Sequence, residues 1–263
     1  MEKIVRDVSI READDARLPG AVLRLSYTSS ADGRQDWALA LPESREGLWV
    51  VCIHGHGSSG DQLYTRQDIR DRWLPAFRQQ GLGILTPDLR GNAWMSPLAA
   101  SDLQGLLGEI RRRYAARGFV FFSGSMGGTS NLIYAALHPE DVTAVVALGA
   151  ATEVGSYHAW CREKPLPIHG QIAQAIEDSY GGDPGAIPEV YRAHSALRNA
   201  DRLRMPLFLA HGEEDRIMPV EQARLLAERL GGSSSFLFTE VPGGSHDSPL
   251  SLTESLKWVL DRI

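Results

Sequence analysis

The sequence predicts an α/β fold: a doubly wound, mostly parallel sheet with a small cap inserted in it. Three observations carry that expectation. Short unbroken apolar runs alternate with segments whose apolar residues recur at helical spacing, the rhythm of βαβ units. Several of those runs break into glycine-rich loops, as parallel strands do where they reach a ligand site. One stretch, residues 151–202, interrupts the rhythm with scattered aromatics, Pro165, Pro167, Pro184 and Pro188 and no clear strand.

Taken in order, residues 22–27 and 37–41 read as strands joined through Asp32-Gly33, a hairpin signal, so an antiparallel edge opens the fold. Residues 48–53 form a continuous apolar run, the mark of a strand buried on both faces, ending at His54-Gly55-His56-Gly57-Ser58-Ser59-Gly60. A helix is predicted over 68–80, with Pro75 as a kink or restart. A strand follows at 83–86 and a helix at 98–116. The run from Phe119 is the next strand, residues 126–137 a helix stopped at His138-Pro139, and 142–148 a further buried strand. Beyond the expected cap at 151–202, strands at 206–210 and 236–241 flank an amphipathic helix at 220–230 stopped by Gly231, and a helix at 252–260 ends the chain. Residues 1–263 are expected to form one α/β domain that contains the cap.

Composition narrows the partners. The formal net charge of −6 is dispersed over the chain, which speaks against nucleic acid or an anionic membrane. Arg111-Arg112-Arg113 is the only basic run, and on a helix its members point in different directions. The opening Met-Glu-Lys-Ile-Val-Arg-Asp has no apolar leader core, and no window reaches the length of a membrane span. With two cysteines, Cys52 and Cys161, there is no disulfide framework, so the expected location is cytoplasmic.

The chemistry begins between the strand at Phe119 and the helix at Met126. Gly124, Gly127 and Gly128 let the chain turn sharply around Ser125, hold it in a strained conformation and keep side chains away from its hydroxyl. A phosphate-cradling loop is the competing reading, but neither a Walker lysine nor a Gly-x-Gly-x-x-Gly accompanies it. Ser123-Gly124-Ser125-Met126-Gly127 resembles the Gly-x-Ser-x-Gly nucleophile elbow of the α/β-hydrolase superfamily, with serine in place of the first glycine. A serine hydroxyl needs a histidine to take its proton and a carboxylate to orient that histidine. His211-Gly212-Glu213-Glu214-Asp215 resembles the family's acid loop and implies Asp215 as the acid, with Glu213 and Glu214 as neighbouring rivals. Pro242-Gly243-Gly244-Ser245-His246 resembles its histidine loop and implies His246 as the base. Ser125, Asp215 and His246 stand in the superfamily's chain order.

The oxyanion of an acyl-transfer intermediate takes two backbone N–H donors. Met126 is one expected donor. The resemblance of His54-Gly55-His56-Gly57 to the family's His-Gly oxyanion loop implies His56 as the other, with Gly57 as second choice. The His56 side chain either faces substrate or packs. His54-x-His56 lacks the Asp and His that a metallo-hydrolase places close behind it, so no metal and no cofactor are expected. Asp88-Leu89-Arg90-Gly91 resembles a loop-ordering turn of these enzymes and is assigned no catalysis. Trp94, Tyr157 and Trp160 are the candidates for the substrate pocket, core packing being their alternative.

The core from about residue 48 to 246 resembles prolyl-oligopeptidase-like and dienelactone-hydrolase-like catalytic domains. The resemblance implies a serine esterase acting on small to medium carboxylic esters through an acyl-enzyme on Ser125. The alternatives are an amidase or peptidase of the same group, whose members usually carry a propeller for which this chain has no room, and a receptor that binds without turnover. The dehalogenase route needs an Asp where Ser125 stands.

Overall fold

The structure is a computed structural model describing residues 4–43 and 46–263. Residues 1–3, the head of the stretch read above for a leader, lie outside the described residues. The strands are β1 (Val5–Glu12), β2 (Leu23–Ser29), β3 (Gln35–Leu41), β4 (Leu48–Val51), β5 (Gly83–Pro87), β6 (Gly118–Gly124), β7 (Ala144–Leu148), β8 (Leu207–Gly212) and β9 (Phe236–Val241). They form one nine-stranded sheet in the order β1-β2-β3-β5-β4-β6-β7-β8-β9. From β5 to β9 neighbours pair in parallel, whereas β1, β2, β3 and β5 pair antiparallel. The helices are α1 (Gln62–Thr65), α2 (Gln67–Gln79), α3 (Pro97–Tyr114), α4 (Met126–Leu137), α5 (Val154–Arg162), α6 (Pro167–Tyr180), α7 (Pro188–Ala193), α8 (Glu221–Leu230) and α9 (Glu254–Leu260).

The central strands are apolar on both faces, so alternate residues feed two separate cores. Trp49, Val51, Phe119, Phe121, Val145, Leu207 and Leu209 pack on one side with α3, α4, α8 and the helices after β7. Val50, Cys52, Val120, Phe122, Val146 and Phe208 pack on the other with α2 and α9. Phe122 meets Trp73 and Phe77 edge-on at centroid separations of 4.9 and 5.2 Å. Each such pair adds about 0.5–1.5 kcal/mol beyond the area it buries. The chain leaves β4 for β5 on one side and returns to β6 on the other, which puts the switch point of the sheet at the carboxyl ends of β4 and β6.

Three features differ from the sequence expectation in ways that have physical reasons. β1 is an additional edge strand: Val-Arg-Asp-Val-Ser-Ile-Arg-Glu alternates apolar and charged residues and is mostly exposed, so it lacks the buried-run signal. Helix α2 runs straight through Pro75, which lies on its exposed side, where solvent can meet the Asp71 carbonyl that the missing N–H leaves. Between β7 and β8 the chain forms α5, α6 and α7, and Pro167 and Pro188 begin helices there rather than interrupting them, proline being suited to a first turn whose N–H has no partner. Among the described residues no helix is long and apolar enough to cross a membrane.

Candidate active site

Ser125 sits between β6 and α4 with φ +57° and ψ −130°, a conformation L-residues adopt only under constraint. The constraint is close packing at the switch point. A Cβ on Gly127 would stand 2.1 Å from the Ile53 carbonyl oxygen, so the start of α4 can approach the end of β4 only through glycine. Ser123, which replaces the glycine of the usual elbow, is buried and ties the end of β6 to the chain just past β4 and to α4. Its Oγ accepts the Ile53 N–H at 2.9 Å and donates to Asn131 Oδ1 at 3.2 Å.

The turn carries Ser125 Oγ to 2.9 Å from His246 Nε2, to which it can donate, while His246 Nδ1–H donates to Asp215 Oδ2 at 2.6 Å. The imidazole is thereby fixed in the tautomer that leaves Nε2 free to take a proton. His246 arrives on the loop after β9, which crosses so close to the end of β8 that a Cβ on Gly212 would meet the Ser245 carbonyl oxygen at 2.2 Å. The Asp215 carboxylate is shielded completely from solvent, and its Oδ1 accepts the N–H groups of Ile217 and Met218 at 2.8 and 2.9 Å. Burial pushes this carboxyl up, yet hydrogen bonds from His211 and His246 outweigh it and hold the group well below the ordinary carboxylate range. Of the rivals, Glu213 accepts the Gly243 N–H at 2.8 Å and Glu214 is exposed, so neither side chain is the partner of His246.

Two backbone N–H groups beside Ser125 have no partner among the described residues. Met126 begins α4, where the first amides are unpaired. His56 lies between two amides that are taken: Gly55 N–H donates to Gln62 Oε1 at 2.9 Å and Gly57 N–H to Asn92 Oδ1 at 2.7 Å. Gly57, the second choice for an oxyanion donor, is therefore occupied. The His56 ring lines the cavity, with Nδ1 accepting Trp94 Nε1–H at 3.4 Å. Burial, reinforced by His54, pulls its pKa below the ordinary histidine value. The ring of His54 is held between the carbonyls of Gly55, 2.8 Å from Nδ1, and Asp88, 3.0 Å from Nε2.

A cavity of about 210 Å³ opens over Ser125 and His246. Its apolar walls come from Ile69 and Trp73 of α2, Leu250, and Ile168, Ile172 and Ile217 on the opposite side, with Arg66 and Asp247 also lining it and paired with each other at 3.1 Å. The structure does not bring Trp94, Tyr157 or Trp160 to this cavity. Trp94 and Tyr157 are core residues, 1% and 0% exposed, that touch the site through neighbours: Trp94 through His56, and Tyr157 by its hydroxyl on the Ile217 carbonyl at 3.1 Å. Trp160 packs edge-on against His169. Sequence reasoning missed Ile69, Trp73, Ile168 and Ile172 because each has the helical spacing of an ordinary core residue. A distinguishing signal would have required knowing that α2 and α6 both line the cavity over Ser125.

The alpha/beta hydrolase fold family matches residues 49–183, just over half of the chain. Esterase LipC of Mycobacterium tuberculosis is 39% identical over 61 residues, a match spanning 22% of this chain and only 15% of that protein. Among solved structures, an acetyl xylan esterase from Paenibacillus sp. R4 superposes with a TM-score of 0.69 at 14% identity, over 99% of this chain and 89% of that one. The esterase Pf2001 of Pyrococcus furiosus does so with a TM-score of 0.67 at 14% identity, over 91% of each chain. At such identities the structural likeness speaks for the fold, and together with the matched segment it means that this chain belongs to the alpha/beta hydrolase fold family.

Proposed function

We propose that the protein is a serine esterase that cleaves small to medium carboxylic esters through an acyl-enzyme on Ser125. The observation that carries this reading is the continuous hydrogen-bonded chain from Ser125 Oγ through His246 to Asp215, at 2.9 and 2.6 Å, beneath a strained serine. Ser125 Oγ adds to the ester carbonyl carbon while His246 Nε2 takes its proton, and the buried Asp215 carboxylate stabilises the imidazolium. The carbonyl oxygen becomes an oxyanion that receives the N–H groups of Met126 and His56, each such donor contributing about 3–4 kcal/mol to the transition state. Collapse expels the alcohol, which leaves with the proton from His246. Water then adds to the acyl-enzyme with His246 again as base, and the acid departs as Ser125 recovers its proton. All of these groups belong to the chain, so the cycle calls for no cofactor.

The apolar cavity walls suit an uncharged acyl or alcohol portion. The segment 151–202, which contributes Ile168 and Ile172 to the cavity lining, acts in this reading as a lid over the ester. The test is labelling by a fluorophosphonate probe together with turnover of an aryl ester and an aminoacyl anilide. Labelling and ester turnover are expected in the wild type and absent in a folded Ser125→Ala variant. Folded wild-type protein that neither labels nor turns over overturns the enzymatic reading, and faster turnover of the anilide overturns the ester assignment.

A further inference from the structure

Asp215 is held by a second imidazole. His211, the fifth residue of β8, points Nε2 at Asp215 Oδ2 at 3.1 Å and at the Met218 carbonyl oxygen at 3.0 Å, and both side chains are wholly buried. A carboxylate and a carbonyl only accept, so the nitrogen between them carries a proton. Oδ2 thus receives His246 at 2.6 Å and lies 3.1 Å from the His211 nitrogen, whose N–H it shares with the Met218 carbonyl, while Oδ1 receives the amides of Ile217 and Met218. Both oxygens are committed, and rotation of the carboxylate would break bonds at each.

His211 is held in place at a cost. Its other ring nitrogen, Nδ1, is buried with no partner among the described residues, an arrangement proteins rarely tolerate without a compensating role. An aliphatic side chain of similar size would fill the space and leave no orphaned nitrogen. What it would not do is donate to Oδ2. Around the carboxylate stand His246 from the loop after β9, Tyr157 from α5, whose hydroxyl donates to the Ile217 carbonyl, and the exposed Glu213 and Glu214 of its own turn. Glu240, level with His211 on β9, is engaged by Arg224. Among the described residues, His211 is therefore the one side chain besides His246 whose N–H stands within hydrogen-bond distance of Asp215.

We infer that His211 is a positioning residue for the reaction: by donating to Asp215 Oδ2 it fixes the carboxylate, and through it the ring of His246. This rests on the proposed serine-esterase reading. The test compares His211→Phe, His211→Asn and His211→Gln in ester turnover, in the pH profile of kcat/KM and in the far-downfield proton resonance of His246 Nδ1–H. Gln can carry an N–H about as far as the imidazole does, whereas Asn is shorter and Phe has no donor. The expected result is a fall in kcat of roughly tenfold or more for Phe and Asn, with KM within about twofold, as befits a transition-state effect. With one donor fewer, Oδ2 holds more charge for the imidazolium, so the acid limb moves to higher pH and the resonance shifts. His211→Gln returns all three readouts toward wild type. Folded Phe or Asn variants with wild-type kcat, limb and resonance overturn the inference, as does a Gln variant no better than Asn. Should His211→Phe fail to fold, Asn against Gln decides. If Ser125→Ala turns over ester as well as wild type, it is the esterase reading that fails instead.

Discussion

Asn92 holds Gly57: the glycine N–H donates to the Asn92 side-chain oxygen at 2.7 Å across thirty-five residues of chain. With Gln62 fastening Gly55 in the same way, the loop after β4 is tied on both sides of His56, whose own N–H has no partner among the described residues. Asn92 is itself carried by a segment in which Leu89, Arg90, Gly91, Trp94 and Met95 all have positive φ. That much unfavourable backbone in seven residues persists only when surrounding structure over-determines it.

Under the proposed mechanism, replacing Asn92 by Ala should therefore act on the oxyanion donor rather than on substrate binding. A wholly lost oxyanion donor costs about a hundredfold or more in kcat, and a misaligned one about tenfold, with KM within about twofold. Steady-state kinetics on an aryl ester would show it. Asn92→Asp, which keeps the acceptor, is expected near wild type. Equal kcat in the Ala variant and wild type would mean that the loop holds its shape unaided.

Gly124 and Gly127 flank Ser125 with different tolerances. A methyl group at Gly127 would meet the Ile53 carbonyl oxygen at 2.1 Å, an atom fixed by the backbone. A methyl at Gly124 would instead meet the end of the Leu250 side chain at 2.3 Å, which can rotate away. Gly127→Ala is expected to abolish fluorophosphonate labelling or soluble expression, and Gly124→Ala to label while losing about 1–3 kcal/mol of stability to overpacking. The reverse order in labelling and thermal unfolding would show that the elbow is not shaped by the approach of α4 to β4.

The difference between those glycines was not legible in the sequence, although the elbow was. Ser125, Asp215 and His246 could be picked out because each follows a different predicted strand and sits in a turn that carries glycine, signals that are local in the chain. The role of Ser123 was not: its hydroxyl serves Ile53 and Asn131, partners supplied by the loop after β4 and by the next helix. Trp94 and Tyr157 failed as pocket residues for the same reason, since an aromatic side chain reads alike whether it faces a cavity or a core. Helices α5 to α7 were hidden by prolines that mark helix starts as readily as breaks. What could be read was the order of elements and which polar side chains stand at their ends. What could not was which distant side chains those ends meet.

Acid should weaken the fold through Asp215. A carboxyl held below its ordinary range in the folded protein binds protons less readily than in the unfolded chain, so stability rises with pH wherever the unfolded state is the more protonated. That contribution is complete above the ordinary aspartate value of about 3.9 and drains away as pH falls toward the folded value. Urea unfolding of wild type and Asp215→Asn between pH 7 and pH 2 isolates it, because the other carboxylates are common to both. The gap between the two proteins is expected to narrow below about pH 5. A constant gap would mean that the carboxyl titrates alike in both states.

Arg90 supplies the last prediction, and it links the antiparallel edge to the site. Its Nε donates to the buried Asp102 at 2.6 Å, its terminal nitrogens reach Asp32 at 2.7 and 3.0 Å, and its backbone N–H donates to Asp36 at 2.6 Å. Asp102 is wholly buried and otherwise receives the Ser29 hydroxyl at 2.6 Å. Removing the guanidinium in Arg90→Met leaves a buried carboxylate without its cation, a change that costs about 3–5 kcal/mol. Arg90→Met/Asp102→Leu removes both charges and is expected to recover much of that loss, because an apolar pair has no charge to desolvate. Chemical denaturation of the two variants measures the difference. Ester turnover at a temperature where both are folded reports whether the loop bearing Asn92 and Trp94 has kept its place. A loss below about 1 kcal/mol in Arg90→Met would place the pair among surface ion pairs of little consequence and sever the proposed link between the first three strands and the loop beside His56.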